Sequence, residues 1–137
     1  MTTPAKSQLP NDLRYTREHE WARVQSDGTC VVGITTYAQE ELGDIVFVEL
    51  PKIGGRFNQF AKFGEIESVK TVSDLFLPVS GEIIDVNPRL KKEPELVNRD
   101  PYGNGWLVKV RVADLSQGAK LLTAQDYEHV LSELHQA

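Results

Sequence analysis

Gly64-Glu65-Ile66-Glu67-Ser68-Val69-Lys70-Thr71-Val72-Ser73-Asp74-Leu75-Phe76-Leu77-Pro78-Val79-Ser80-Gly81-Glu82-Ile83 holds two β-capable runs that meet at Val69-Lys70-Thr71. The lysine therefore falls at or beside a protruding turn, where its side chain extends into solvent and is open to a modifying enzyme. Most lysines at such tips are only solvated, so position alone assigns no chemistry. Acylation there would remove the charge and leave an arm of a dozen or so bonds, reaching roughly 15 Å from Cα.

Outward from this hairpin, short apolar runs are separated by Gly, Pro, Asn and Asp clusters, the pattern of a β-rich domain. Strands are expected at Glu20–Gln25, Thr29–Ile34, Asp44–Leu50, Gly64–Val69, Asp74–Leu77, Glu82–Val86 and Trp106–Val112. Ser26-Asp27-Gly28 supplies a hairpin turn, and Asp100-Pro101 with Tyr102-Gly103-Asn104-Gly105 a second turn-rich stretch. The spacing of Thr36 and Gln39 predicts a capping box, with Gly43 as C-cap, for one brief helix. Thr123 caps a C-terminal helix whose Tyr127, Val130, Leu131 and Leu134 make one apolar stripe, flanked by His129 and His135 as surface residues. No fixed-period repeat is present. The fold class is all-β with small flanking helices: a flattened β-sandwich with a C-terminal helix.

Residues 1–12 mix Thr, Pro, Lys, Ser and Gln and read as a flexible N-terminal tail before one domain, 13–137. The formal net charge of −5 argues against a nucleic-acid partner. No apolar stretch reaches membrane-span length. The start has neither a signal peptide's apolar core nor a transit peptide's arginine-rich pattern, so a cytoplasmic bacterial protein is expected, with the mitochondrial matrix as the alternative if a leader was removed. Cys30 stands alone, which excludes an intrachain disulfide and a cysteine metal cluster, and its apolar run marks it as a small strand residue. Trp21 and Trp106 are expected in or near the core, and Asn98, Asp100 and Tyr102 as turn formers.

Glu67-Ser68-Val69-Lys70, followed by Ser73-Asp74, Pro78 and Ser80-Gly81-Glu82, resembles the lipoylation motif of the glycine cleavage H-protein family. Tyr15-Thr16-Arg17-Glu18-His19-Glu20-Trp21 is similar to that family's opening strand. Val32-Gly33-Ile34-Thr35, Tyr37-Ala38-Gln39 and Leu42-Gly43-Asp44-Ile45-Val46-Phe47-Val48-Glu49-Leu50-Pro51 resemble its next block, and Pro94-Glu95-Leu96-Val97-Asn98, Asp100-Pro101-Tyr102-Gly103 and Gly105-Trp106-Leu107 a later one. The likeness spans about residues 13–134. Val72 replaces a residue that is often small in the family, and Leu75-Phe76-Leu77 is more apolar than usual.

The resemblance implies a lipoyl/biotinyl-carrier-like barrel-sandwich hybrid with lipoate covalently attached to Lys70. It implies a non-catalytic carrier and a monomer. The carrier would take the aminomethyl group of glycine from the pyridoxal-phosphate glycine decarboxylase to the tetrahydrofolate-dependent aminomethyltransferase. It would then be reoxidised by dihydrolipoyl dehydrogenase, and lipoate-attaching enzymes complete the partners. Glu67 and Asp74 either keep a sheet edge solvated or are recognised by the attaching enzyme, and membership of the matched motif favours recognition. An aminomethyl-loaded arm would need shelter from water and a carboxylate for its amine; Glu20, Asp74 and Glu18 are the candidates, the first two preferred.

Three rivals read less well. A biotinyl domain sets methionines beside its lysine, whereas Val69 and Thr71 flank Lys70 and the single methionine is Met1. A lipoyl domain of a 2-oxo-acid dehydrogenase shows Asp-Lys-Ala at the tip and is fused to an acyltransferase. An enzyme with its own site would need a second cysteine, a phosphate loop or a triad, and His19 has no such partners in sequence. A purely structural adaptor also fits a small β domain. Lys62 and Lys109 lie in β-rich sequence without the flanking pattern of Lys70.

Overall fold

The structure, a computed structural model, describes residues 9–134. In chain order the strands are β1 (Arg14–Tyr15), β2 (Glu20–Val24), β3 (Thr29–Ile34), β4 (Ile45–Glu49), β5 (Arg56–Phe57), β6 (Lys62–Ser68), β7 (Val72–Phe76), β8 (Gly81–Val86) and β9 (Val108–Val112). The helices are α1 (Thr36–Leu42), α2 (Leu96–Arg99), α3 (Leu115–Ala119) and α4 (Ala124–Leu134), with a 3-10 turn at Pro88–Lys91. Two antiparallel sheets form an open sandwich: β1-β2-β3-β9-β8-β5 and β4-β6-β7.

Burial in β2 and β3 explains the layering. Ala22, Cys30, Val32 and Ile34 join Ile66, Leu75 and Ile83 in the main core. Trp21 points the other way, into a second cluster with Leu13, Tyr15, Tyr127 and Leu131 under α4. Both faces of the larger sheet are thus covered here, and Glu20, Trp21 and Ala22 are all buried in succession. Trp21 pairs in register with Gly33. A Cβ at Gly33 would stand 2.5 Å from the indole ring, so only glycine lets the ring lie on the strand. Tyr15 stacks on Tyr127 at 4.9 Å between centroids, and the Trp21 Nε1 donates to the Pro101 carbonyl. Trp106 is half-buried beside the same cluster.

Several expectations need correction. The α1 cap is Thr35: its extended backbone and its hydroxyl, which accepts from the Ala38 N–H, place it one residue ahead of the expected Thr36. Gln39 does not reach back to the cap; its amide oxygen accepts from Asn98. Gly43 does end the helix, at φ +83°. Thr123 caps α4 in a reciprocal pair, its hydroxyl accepting from the Asp126 N–H and its own N–H donating to the Asp126 carboxylate. The apolar stripe stops at Leu131, because Leu134 at the last turn is 48% exposed. His129 is exposed, and His135 lies outside the described residues.

Strands β1 and β5 and helices α2 and α3 went unread, since two to five residues show no periodicity. In the structure Asp114 caps α3 and Asn87 caps the 3-10 turn, each side chain accepting a backbone N–H. Of the expected tail, residues 1–8 lie outside the described residues. Leu9 packs on the second cluster, and the Pro10 carbonyl accepts the Tyr15 hydroxyl at 2.6 Å.

Candidate functional site

The β6–β7 ladder ends at the pair Glu67 and Val72, leaving Ser68-Val69-Lys70-Thr71 as the bend. The Ser68 N–H donates to the Thr71 carbonyl at 2.8 Å. A two-residue hairpin loop ordinarily takes a primed turn that needs left-handed backbone, which β-branched residues resist. Neither Val69 nor Lys70 has a positive φ. The Ser68 hydroxyl serves instead, accepting from the Lys70 N–H at 3.2 Å and the Thr71 N–H at 3.1 Å. Ser68 is buried while its neighbours Val69 and Lys70 are exposed, so a side chain below the tip shapes it.

Outside the hairpin, the Val69 N–H donates to the Asp44 carbonyl at 3.0 Å. A Cβ at Gly43 would lie 3.6 Å from the Lys70 Cε, so the lysine stem runs over a residue without a side chain. Lys70 makes no ion pair among the described residues. Lys62, by contrast, is held by Glu65 at 2.6 Å and Asp74 at 3.2 Å. Those two carboxylates raise its pKa above the usual lysine range, Glu65 contributing most. Lys109 is half-buried in β9.

The outer face of the small sheet carries the acids. Glu67 stands exposed between its cross-strand neighbours Phe47 and Val72, which are themselves 54% and 56% exposed. One step toward the hairpin base, Glu65 lies directly opposite Asp74, with the Lys62 ammonium bridging them. Sequence reasoning singled out Asp74 but missed Glu65 and Lys62, although the cross-strand partner of Asp74 follows from the hairpin register once the tip is fixed.

Glu20, a candidate for holding the amine of the loaded arm, lies in the interior. It is 2% exposed, and its Oε1 accepts the Thr16 hydroxyl at 2.6 Å. Its Oε2 accepts the Phe76 N–H at 3.2 Å, which ties β2 of the large sheet to the edge strand of the small one. Burial pushes its pKa up to about 7, against the lowering effect of those hydrogen bonds. Glu18 is exposed and lines an apolar cleft of about 340 Å³ with Thr16, Phe60, Leu121 and Leu122. The structure therefore brings Asp74 near the tip, and places Glu20 and Glu18 at the other end of the hairpin.

Elsewhere the chemistry is quiet. Burial raises the Cys30 thiol to about 12, so no thiolate forms near neutrality. The His19 Nδ1 lies 2.8 Å from the Tyr127 hydroxyl, which also meets the Thr35 hydroxyl at 2.7 Å. No cluster of three or more potential metal ligands occurs among the described residues. Nor is any helix there long and apolar enough to cross a membrane.

The family model described as Glycine cleavage H-protein matches residues 13–134. The chain belongs to the glycine cleavage H-protein family. Among curated relatives, the glycine cleavage system H protein of Bacteroides thetaiotaomicron is 54% identical over 124 residues, covering 90% of this chain and 98% of that protein. The one from Rubrobacter xylanophilus is 54% identical over 127 residues, with 93% and 98% covered. The crystal structure of a glycine cleavage system H protein from Mycobacterium marinum superposes with a TM-score of 0.84 at 42% identity, covering 90% of this chain and 99% of that one. As an H protein the chain is a carrier subunit and not a catalyst, and the open sandwich with its C-terminal helix is the fold expected from the sequence.

Proposed function

We propose that Lys70 is the lipoyl attachment residue and that the chain shuttles the aminomethyl group of glycine. It would receive that group from the pyridoxal-phosphate glycine decarboxylase and deliver it to the tetrahydrofolate-dependent aminomethyltransferase. Dihydrolipoyl dehydrogenase would then restore the disulfide. The observation that carries this reading is the tip itself: an exposed lysine, without an ion pair among the described residues, at the end of a two-stranded post whose bend is fixed from below by Ser68. A lipoyl group in amide linkage supplies a redox-active dithiolane on a long tether, chemistry that no side chain of this chain offers. The residues fit it, because Lys70 Nζ can be acylated without breaking a salt bridge or uncovering core.

Glu67 supports recognition by a lipoate-attaching enzyme: it projects from the last rung below the tip, between two exposed apolar side chains. Asp74 stands four residues from Lys70, about 13 Å at strand rise, inside the roughly 15 Å span of the arm. With Glu65 it offers two carboxylates to a primary ammonium returned along the outer face, in competition with Lys62. By the same rise Phe76, which Glu20 bonds, lies about 20 Å from Lys70, more than that span, so Glu20 and Glu18 are less well placed than Asp74 to meet the amine.

Incubating the protein with lipoate, ATP and a lipoate ligase, followed by intact-mass measurement and peptide mapping, tests the attachment. A single lipoyl adduct on the peptide holding Lys70 is expected. An adduct on Lys62 or Lys109, or none, overturns it. Glycine–bicarbonate exchange with a decarboxylating partner then tests the shuttle.

A further inference from the structure

We propose that Asn98 is a positioning residue for the Lys70 tip, acting through the segment 43–45; this rests on the reading of Lys70 as the attachment residue. The small sheet has β4 at its edge, and its register with β6 breaks between Ile45 and Phe47, beside the tip. A break in an edge strand leaves backbone groups out of the ladder and loosens the chain there. Asn98 holds the chain on the N-terminal side of this one. Its Oδ1 accepts the Ile45 N–H at 2.8 Å, and its Nδ2 donates to the Gly43 carbonyl at 2.9 Å. The same Nδ2 donates to the Gln39 side chain at 2.9 Å.

The amide thus straddles Asp44, holding the residue on either side of it. The Asp44 carbonyl between them accepts the Val69 N–H, and Gly43 lies under the Lys70 stem. Asn98 itself is anchored, because its α2 neighbours Leu96 and Val97 are buried in the main core. A continuous path runs from the core through α2 and the Asn98 amide to Asp44 and the tip. The long ladders of the large sheet do not pass through Asn98, so its loss should be felt locally.

A tip braced by Asn98 has a consequence that mere stability does not. A loosened tip spends part of its time in arrangements that a lipoate ligase cannot seat, and apparent affinity falls by the competent fraction while the chemical step is unchanged. Asn98→Asp is the variant of choice: it keeps the volume and the acceptor for Ile45, but sets a carboxylate oxygen where the amide donated to Gly43 and Gln39. Gln39→Ala is the control, since it leaves both bonds to the 43–45 segment.

Amide hydrogen exchange of the folded chain reads the path directly. In the parent protein the Ile45 and Val69 amides should open together, with the same denaturant dependence. In Asn98→Asp both should exchange about tenfold or more faster, while the amides of the β3–β9 ladder keep their protection. Ligase kinetics with lipoate and ATP should show KM raised several-fold at nearly constant kcat, and Gln39→Ala should show neither change. Independent opening of Ile45 and Val69 in the parent overturns the proposal without any variant. So does unchanged Val69 exchange, or an unchanged KM, in a folded Asn98→Asp. A parent protein that accepts no lipoate at Lys70 overturns the attachment reading instead, and the exchange results still decide the brace.

Discussion

The tip at Lys70 and the corner at Trp21 are built on opposite plans. At the corner, an indole lies on Gly33, two tyrosines stack, and the Tyr127 hydroxyl meets both His19 and Thr35, so position is fixed by packing. At the tip almost nothing packs: Val69 is 69% exposed, and position is fixed by hydrogen bonds from Ser68 and Asp44. Burial supplies the stability, and the site draws on little of it. A carrier needs this separation, because a reactive end that must enter several partners cannot also be held by its own core.

The sharpest test replaces Lys70 with Ala. Lipoylation should fall to background, while unfolding free energy stays within about 0.5 kcal/mol of the parent, as for a solvated surface change. A marked loss of stability would mean that the tip is tied into the core after all.

Trp21→Ala should do the reverse. Removing a fully buried indole costs about 3–5 kcal/mol. Denaturant unfolding should show that loss, and the fraction still folded should accept lipoate at the parent's rate. A slower rate per folded molecule would couple the corner to the tip.

Glu20 tests the seam between the two regions by pH. Its folded pKa of about 7 lies above the 4.5 of the unlinked group, so the fold favours the protonated carboxyl. The stability it contributes is therefore full below pH 4.5 and is lost as pH rises toward and through 7, on the order of 3 kcal/mol in all. His19 works in the opposite sense: burial lowers its pKa below 6.5, so its protonation in acid destabilises the fold. Comparing parent with Glu20→Gln across pH 4.5 to 8 isolates the first effect, and the variant should show the flatter loss above pH 5. Identical slopes would remove Glu20 from the pH dependence.

Glu67→Ala carries the smallest change. Ligase turnover should slow severalfold with no measurable shift in unfolding midpoint, since an exposed acid holds little of the fold. An unchanged rate returns Glu67 to a role in keeping the sheet edge solvated.

How much of this was legible follows from where the determining contacts lie in sequence. The hairpin could be read because its two β-capable runs are adjacent in sequence, and Lys70 because the motif around it resembles that of the family. The Thr123 cap was local too. The α1 cap slipped by one residue because Thr35 and Thr36 are adjacent and chemically alike. Only the backbone distinguishes them, and Thr36 is left with a buried hydroxyl that finds no partner. The burial of Glu20 was invisible, because its partner Phe76 is 56 residues away and both faces of β2 are covered. Asn98 reads as a turn former in sequence for the same reason: its partners Gly43 and Ile45 lie more than 50 residues back.

The bend that depends on the Ser68 hydroxyl also bears on how freely this chain can drift. A hairpin whose corner demands glycine is hostage to two positions, since nearly any replacement distorts it. Here the demand falls on a single recessed hydroxyl, and positions 69 and 70 are released from it. With Lys70 kept for attachment, position 69 is a word that can be rewritten to suit a different modifying enzyme without redrafting the scaffold, provided residue 68 keeps its oxygen.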